Sequence, residues 1–252
     1  MQGTRPWSTA WITGASTGIG RELALRLADR GVKVAVTSRS PEKLAELAAL
    51  SPRIVAIPAD VTVAGQMSAA HSAAVSALGP IDLAILNAGV WHPMHADGYD
   101  AGLAMQSMAV NYGGVVHALA PLLPAMLSRG RGHIAVMASV AGYRGLPKAI
   151  AYGPTKAAAI SLAEVLRIEL APRGITVSVI NPGFVETPMT AVNTFPMPFI
   201  IKTDRAVEHI LRGLEKGKFE IAFPWQTVAA LKLLRSLPNA LYLRAAAWMS
   251  ER

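Results

Sequence analysis

Short apolar runs alternate along this chain with longer stretches in which apolar positions recur at helical spacing. The runs at 7–13, 32–37, 53–58, 81–86, 132–138, 174–180 and 220–223 read as strands, bounded by Gly, Pro, Asn, Asp and Ser. Helices are expected between them. The first carries Leu23, Leu25, Leu27 and Ala28 and stops at Gly31. Others are expected at 41–50, capped by Ser40, at 64–78, closed by Gly79-Pro80, and over a long tract at 99–127. Two more follow at 152–170 and at 203–214, the latter capped by Thr203. Strands alternating with helices predict an α/β fold, a doubly wound parallel sheet with helices on both faces. In such a sheet the ligand crevice lies at the carboxyl ends of the strands.

A length of 252 residues fits one domain, 1–252, and 52% apolar residues supply a large core. There is no uninterrupted apolar tract of about 18 residues, so no membrane-spanning helix is expected. The first residues lack a long apolar stretch and run straight into a strand, so no secretory signal is expected either. With no cysteine, disulfide and thiol chemistry are excluded, which fits a cytoplasmic protein. The net charge of +8 points to an anionic partner: nucleic acid, a membrane face or a cofactor. The basic residues are scattered without aromatic interleaving, so nucleic acid is not expected.

Candidate chemistry begins where the first strand ends. The turn Thr13-Gly14-Ala15-Ser16-Thr17-Gly18-Ile19-Gly20 sits between strand and helix, the context of a dinucleotide site. Glycines there let backbone approach a pyrophosphate, and the helix N-terminus offers it free N–H groups. At the end of the second strand stand Thr37, Ser38, Arg39 and Ser40, where an acid would bind an adenosine ribose. An acid would repel a 2′-phosphate, whereas Arg39 and Ser38 can bind one, which favours NADP over NAD. Alternatively, Arg39 only covers the adenine face. Asp60, beside Val61, either bonds the adenine amino group or caps the next helix. His92, His95 and Asp97 lack a periodic helix and a convergent ligand set, so a loop at the substrate mouth is expected rather than a metal. Asn111 lies in the long apolar helix, either as a satisfied core amide or as a site residue holding a water.

Tyr152 and Lys156 are four apart at the start of a helix and so share a face, with Ser139 at the end of the fifth strand. A cation beside a phenol lowers its pKa, which makes an acid/base device. Pro154 between them requires the helix to begin close to Tyr152. After the sixth strand come Asn181-Pro182-Gly183 and then an aperiodic Pro, Met and Phe segment, expected to form a lid at 188–203.

Together these motifs resemble the short-chain dehydrogenase/reductase family, whose fold is Rossmann-like. The resemblance rests on the glycine turn, Asn87-Ala88-Gly89, Ser139, Tyr152-x-x-x-Lys156 and Asn181-Pro182-Gly183, in order over 7–187. It implies that Tyr152 transfers the proton, Lys156 lowers its pKa and binds the nicotinamide ribose, and Ser139 holds the substrate oxygen. Asn111 would fix a relay water and Thr187 the carboxamide. The cofactor contacts so expected are Thr13, Gly14, Ser16, Thr17, Gly18, Ile19, Gly20, Ser38, Arg39, Asp60 and Val61. Asn87, Ala88, Gly89, Tyr152, Lys156, Pro182, Gly183, Val185 and Thr187 complete them. Thr17 departs from the pattern, because many NADP-preferring members place Arg or Lys there. An NAD(P)-dependent oxidoreductase is expected, reducing a hydrophobic ketone or aldehyde or oxidising the alcohol. The alternative is a dinucleotide-binding scaffold or redox sensor without turnover. The resemblance also implies a homo-oligomer, a dimer or tetramer.

The segment 225–252 carries leucines with Lys232, Arg235 and Arg244, and Pro238 breaks it in two. It reads either as a helical extension contacting an anionic membrane or as one packing on the protein or another subunit.

Overall fold

In the computed structural model, which describes residues 7–250 and the side chains of 7–247, the expected alternation closes into one all-parallel sheet. Residues 1–6 and 251–252, part of the expected domain and of its C-terminal extension, lie outside the described residues. The first half contains β1 (Thr9–Thr13), α1 (Gly18–Asp29), β2 (Lys33–Thr37), α2 (Pro41–Ala49), β3 (Ile54–Ala56), α3 (Ala64–Leu78), β4 (Leu83–Leu86), α4 (Ala101–Met108) and α5 (Gly114–Arg129). The second half contains β5 (Gly132–Met137), α6 (Gly153–Leu170), β6 (Ile175–Pro182), α7 (Thr203–Glu215), β7 (Glu220–Phe223), α8 (Trp225–Ser236) and α9 (Asn239–Ser250).

Strand order is β3-β2-β1-β4-β5-β6-β7, and each neighbouring pair is parallel. Parallel neighbours need crossovers, and the crossover helices cover both faces. Successive residues of β1 therefore enter different cores. Trp11 packs with Met67 of α3, Leu122 of α5 and Ala163 of α6. Ile12 packs with Leu23 of α1, Leu44 of α2 and Ile210 of α7. Trp11 tolerates complete burial because its Nε1 donates to Thr37 Oγ1 at 2.9 Å.

Local signals set most element ends. Helix α1 stops where expected, with Gly31 N and Val32 N donating to Ala28 O and Leu27 O. Two expected caps are corrected. Ser40 holds the N-cap position of α2, but its side chain makes no capping bond. Thr203 is the first residue of α7 rather than its cap, which is Lys202. Its hydroxyl donates to Glu186 O instead, a partner that only the fold supplies.

The expected long helix is two, α4 and α5, joined by a π-turn over Ala109–Gly113. Such a turn widens the helix locally and is common at functional sites. The whole run Ala101–Arg129 is long and apolar enough, by length and composition, to cross a membrane. Here its α5 half packs into the core, with Val115, Ala118, Leu119, Leu122 and Met126 buried.

Helix α8 packs on the core through Val228 and Leu231, and α9 packs on the protein through the buried Tyr242. Trp225, Leu233, Leu241 and Leu243 stay exposed.

Candidate active site

The connections leaving β1 and β4 run to opposite faces of the sheet, α1 to one and α4–α5 to the other. This parting opens a crevice at the strands' carboxyl ends. A cleft of about 290 Å³ lies there.

One end is made by the glycine turn. Gly14 has φ +66°, and a Cβ on it would stand 2.6 Å from Ala88 Cα. A Cβ on Gly20 would lie 2.5 Å from both Asn87 Nδ2 and Gly14 O. The turn therefore presses on the end of β4 with no room for side chains. Asn87 Nδ2 donates to Thr13 O and Gly14 O, both at 3.0 Å. Thr13 Oγ1 accepts from Asn87 N at 3.0 Å and Ala88 N at 3.1 Å. Thr13 is buried behind the cleft and does not line it, so its work is to stitch β1 to β4. Gly18, Ile19 and Gly20, the first turn of α1, do line the cleft, and no side chain caps that helix. A backbone cradle at an uncapped helix N-terminus fits a pyrophosphate.

Farther along stand Ser38, Arg39 and Ser40. Among the described residues no carboxylate lines the cleft, and Arg39 and Lys156 are its cations. Val61 lines it but Asp60 does not. The Asp60 carboxylate accepts from Thr62 N and Thr62 Oγ1, both at 2.8 Å, so it closes its own turn and caps no helix. Burial alone would raise its pKa, but the Thr62 bonds and the charge of Arg39 outweigh that and lower it.

At the other end Ser139, Tyr152 and Lys156 converge. Helix α6 begins at Gly153 with Pro154 in its first turn, as the proline requires. Lys156 Nζ lies 5.4 Å from the centre of the Tyr152 ring and donates to Met137 O at 2.9 Å. Burial brings the Lys156 ammonium down to about 8. The Tyr152 phenol is pushed up to about 12, because burial outweighs the opposing pull of the Ser139 hydroxyl. This corrects the expected direction. At the phenol the loss of solvent is the larger effect, with the Lys156 ammonium 5.4 Å from the ring centre. Ser139 Oγ accepts from Ala141 N at 3.1 Å and donates to Pro182 O at 3.3 Å.

Asn111 is fully buried in the π-turn and does not line the cleft. Its Oδ1 accepts from Val90 N at 2.7 Å, and its Nδ2 donates to Val90 O at 3.1 Å and Thr155 Oγ1 at 3.0 Å. Thr155 Oγ1 in turn donates to Tyr152 O at 2.7 Å. Asn111 is thus a satisfied core amide that ties the β4 loop to the start of α6.

Ser16, Thr17, Asn87, Ala88, Gly89, Pro182, Gly183, Val185 and Thr187 all line the cleft. Sequence reasoning missed Thr190. Its hydroxyl donates to Val185 O at 2.6 Å and accepts from Thr187 N at 3.1 Å, shaping the turn that carries Thr187. The signal was present as a second Thr three residues on, able to close a hydroxyl turn. Val90 and Val110 were also missed, being apolar wall residues without a motif.

The profile of the short chain dehydrogenases matches residues 8–195. An uncharacterized oxidoreductase of Myxococcus xanthus is 38% identical over 244 residues, covering 95% of this chain and 96% of that protein. A 2-(R)-hydroxypropyl-CoM dehydrogenase of Xanthobacter autotrophicus is 34% identical over 194 residues, 72% of this chain and 76% of its own. A short chain dehydrogenase of Burkholderia cenocepacia, solved in complex with NADP, superposes with a TM-score of 0.83 at 31% identity, over 94% of this chain and 97% of that one.

Proposed function

The chain belongs to the short chain dehydrogenase family of oxidoreductases, and from that premise we propose that it reduces a hydrophobic ketone or aldehyde with NADPH. The observation that carries the reading is the convergence of Ser139, Tyr152 and Lys156 at one end of a cleft whose other end is a glycine cradle. When bound, the nicotinamide supplies a hydride to the carbonyl carbon. The chain's own groups do the rest. Ser139 Oγ holds the carbonyl oxygen. Tyr152, protonated at neutral pH, gives that oxygen its proton. Lys156 holds the ribose beside the phenol and, as a cation, stabilises the phenolate that the transfer leaves. Ketone, reduced cofactor and one proton become alcohol and oxidised cofactor.

Arg39 and Ser38 at the adenosine end, with no carboxylate among the described residues lining the cleft, support NADP over NAD. Met189 and Phe199 of the lid are exposed and favour an apolar substrate. Val116 on α5 and Val165 and Ile168 on α6 are exposed as well and support pairing of long helices between two copies. The test is the loss of NADPH absorbance with a panel of aliphatic and aromatic ketones and aldehydes. Tight NADPH binding with no turnover of any of them would leave a binding scaffold as the better reading.

A further inference from the structure

The C-terminal helices have no part in the cleft, yet they are locked onto the segment that carries Ser139. That segment leaves β5 and makes a 3-10 turn over Val140–Gly142. Its own bonds are few: Gly142 N to Ser139 O at 3.0 Å, Tyr143 N to Val140 O at 3.1 Å, and Ala141 N to Ser139 Oγ. A 3-10 turn has poorer hydrogen-bond geometry than a helix and holds itself weakly. This one is seated on α6 at the catalytic lysine. A Cβ on Gly142 would lie 2.6 Å from the Lys156 carbonyl carbon and 2.8 Å from Ala157 N. A shift of the turn therefore moves Ser139 relative to Tyr152 and Lys156.

Two residues just after the turn are held from the far end of the chain. The buried Tyr143 donates its phenol to Glu220 Oε1. Asn181 Nδ2 donates to the same oxygen at 3.0 Å, and Lys232 of α8 pairs with Glu220 Oε2. Burial would raise the pKa of Glu220, but these three donors outweigh it and keep it below the usual carboxylate value. Arg144 reaches the end of α8, where its guanidinium donates to Leu237 O at 2.8 Å and Arg235 O at 3.1 Å. A cation at those carbonyls is favoured by the helix dipole. The same guanidinium bonds Asn239 Oδ1 and lies 3.9 Å from the centre of the Tyr242 ring. Tyr242 closes the clasp by donating to Gly145 O.

We propose that α8 and α9 are a positioning element for proton transfer: through Arg144 and Glu220 they hold the 139–143 turn against Lys156 and so aim Ser139 Oγ. The proposal rests on the roles given above to Ser139, Tyr152 and Lys156. Neither Arg144 nor the tail lines the cleft, so cofactor affinity is expected to be independent of the clasp.

The experiment compares the full-length protein with Arg144→Met. Hydrogen exchange at the 141–143 amides of the ligand-free protein is expected to quicken about tenfold. Displacements of about 1 Å at a reacting group cost up to about a hundredfold, so kcat is expected to fall about tenfold to a hundredfold, with NADPH Kd unchanged. Arg144→Lys, which keeps the charge and one donor to the α8 carbonyls, should recover part of the loss. Should Arg144→Met not fold, Asn239→Ala removes one arm of the clasp and is expected to move exchange and kcat in the same direction by about threefold. Unchanged kcat, unchanged exchange, or a parallel loss of NADPH affinity each overturns the proposal. If the wild-type protein reduces no carbonyl, the proposed reaction fails, and exchange in the ligand-free protein alone still decides whether the tail holds the turn.

Discussion

The indole of Trp91 stands edge-on to the ring of Tyr152, with centroids 5.0 Å apart and planes at 83°. The same indole donates its Nε1 hydrogen to Asn193 Oδ1 in the lid at 2.7 Å. Asn193 belongs to the segment 188–203 expected as a lid, whose other ties to the body include Glu186 N to Ile201 O at 2.9 Å and Ile201 N to Phe184 O at 3.1 Å. One side chain thus walls Tyr152 and ties down the segment that carries Asn193. Asn193→Ala is expected to raise KM for the carbonyl substrate about threefold to tenfold, the cost of one hydrogen bond, with kcat little changed. Trp91→Ala should in addition raise kcat/KM for bulky ketones relative to small ones. Steady-state kinetics on a size series checks both, and a Trp91→Ala profile matching wild type would show that the indole sets no limit.

Tyr152→Phe removes the proton while keeping the ring against Trp91. Turnover is expected to fall by about 10²–10⁴, the usual worth of a general acid. NADPH titration by fluorescence should show unchanged affinity. Retained turnover would reassign the proton donor.

Arg39 lines the cleft beside Ser38 and Ser40, where the proposed function puts the adenosine. A hydrogen bond to a charged group contributes about 1.5–3 kcal/mol, so Arg39→Ala is expected to lower kcat/KM for NADPH about tenfold to a hundredfold and to leave NADH alone. Equal losses with both cofactors would mean that Arg39 covers adenine rather than binding a phosphate.

Gly20→Ala places a methyl 2.5 Å from Gly14 O and Asn87 Nδ2. Backbone cannot retreat as a side-chain tip can. A destabilisation of about 1–3 kcal/mol is expected, together with weaker NADPH binding, because the cradle must open. Denaturant unfolding and cofactor titration measure the two separately. A variant as stable and as tight-binding as wild type contradicts the close-approach reading.

His133 is buried, and its Nε2–H donates to Ser178 Oγ at 2.8 Å, since Ser178 gives its own proton to Lys218 O. Burial, with the nearby Arg167 charge, brings its pKa down from 6.5 to about 4. Between those values the unfolded chain binds a proton that the folded chain does not, so stability falls as the pH drops from 6.5 towards 4. The loss by pH 4 is about 3 kcal/mol for this group. His133→Gln is expected to flatten that limb in urea unfolding at pH 4.5 and 7. An unchanged slope would place the acid sensitivity elsewhere.

The sequence by itself determined what depends on near neighbours. Alternating apolar runs set the parallel sheet, glycine spacing set the β1–α1 turn, and Pro154 set the start of α6. Four-residue spacing put Tyr152 and Lys156 on one face. These follow from backbone sterics and helical period, which act over a few residues. Only the tertiary structure decided which polar groups face the cleft and which serve the frame. Thr13 and Asn111 were expected in the site, but their partners lie 74 and 44 residues away, and those partners turn them into staples. Asp60 likewise found a partner, a near one, because Thr62 bonds one oxygen of its carboxylate. The direction of the Tyr152 pKa was likewise beyond the sequence. Helical spacing brings the ammonium near, but the balance between its charge and lost solvent depends on what else buries the ring. The basic tail was the least legible segment, because its meaning lies in Arg144 and Glu220, which meet it only once the sheet is complete.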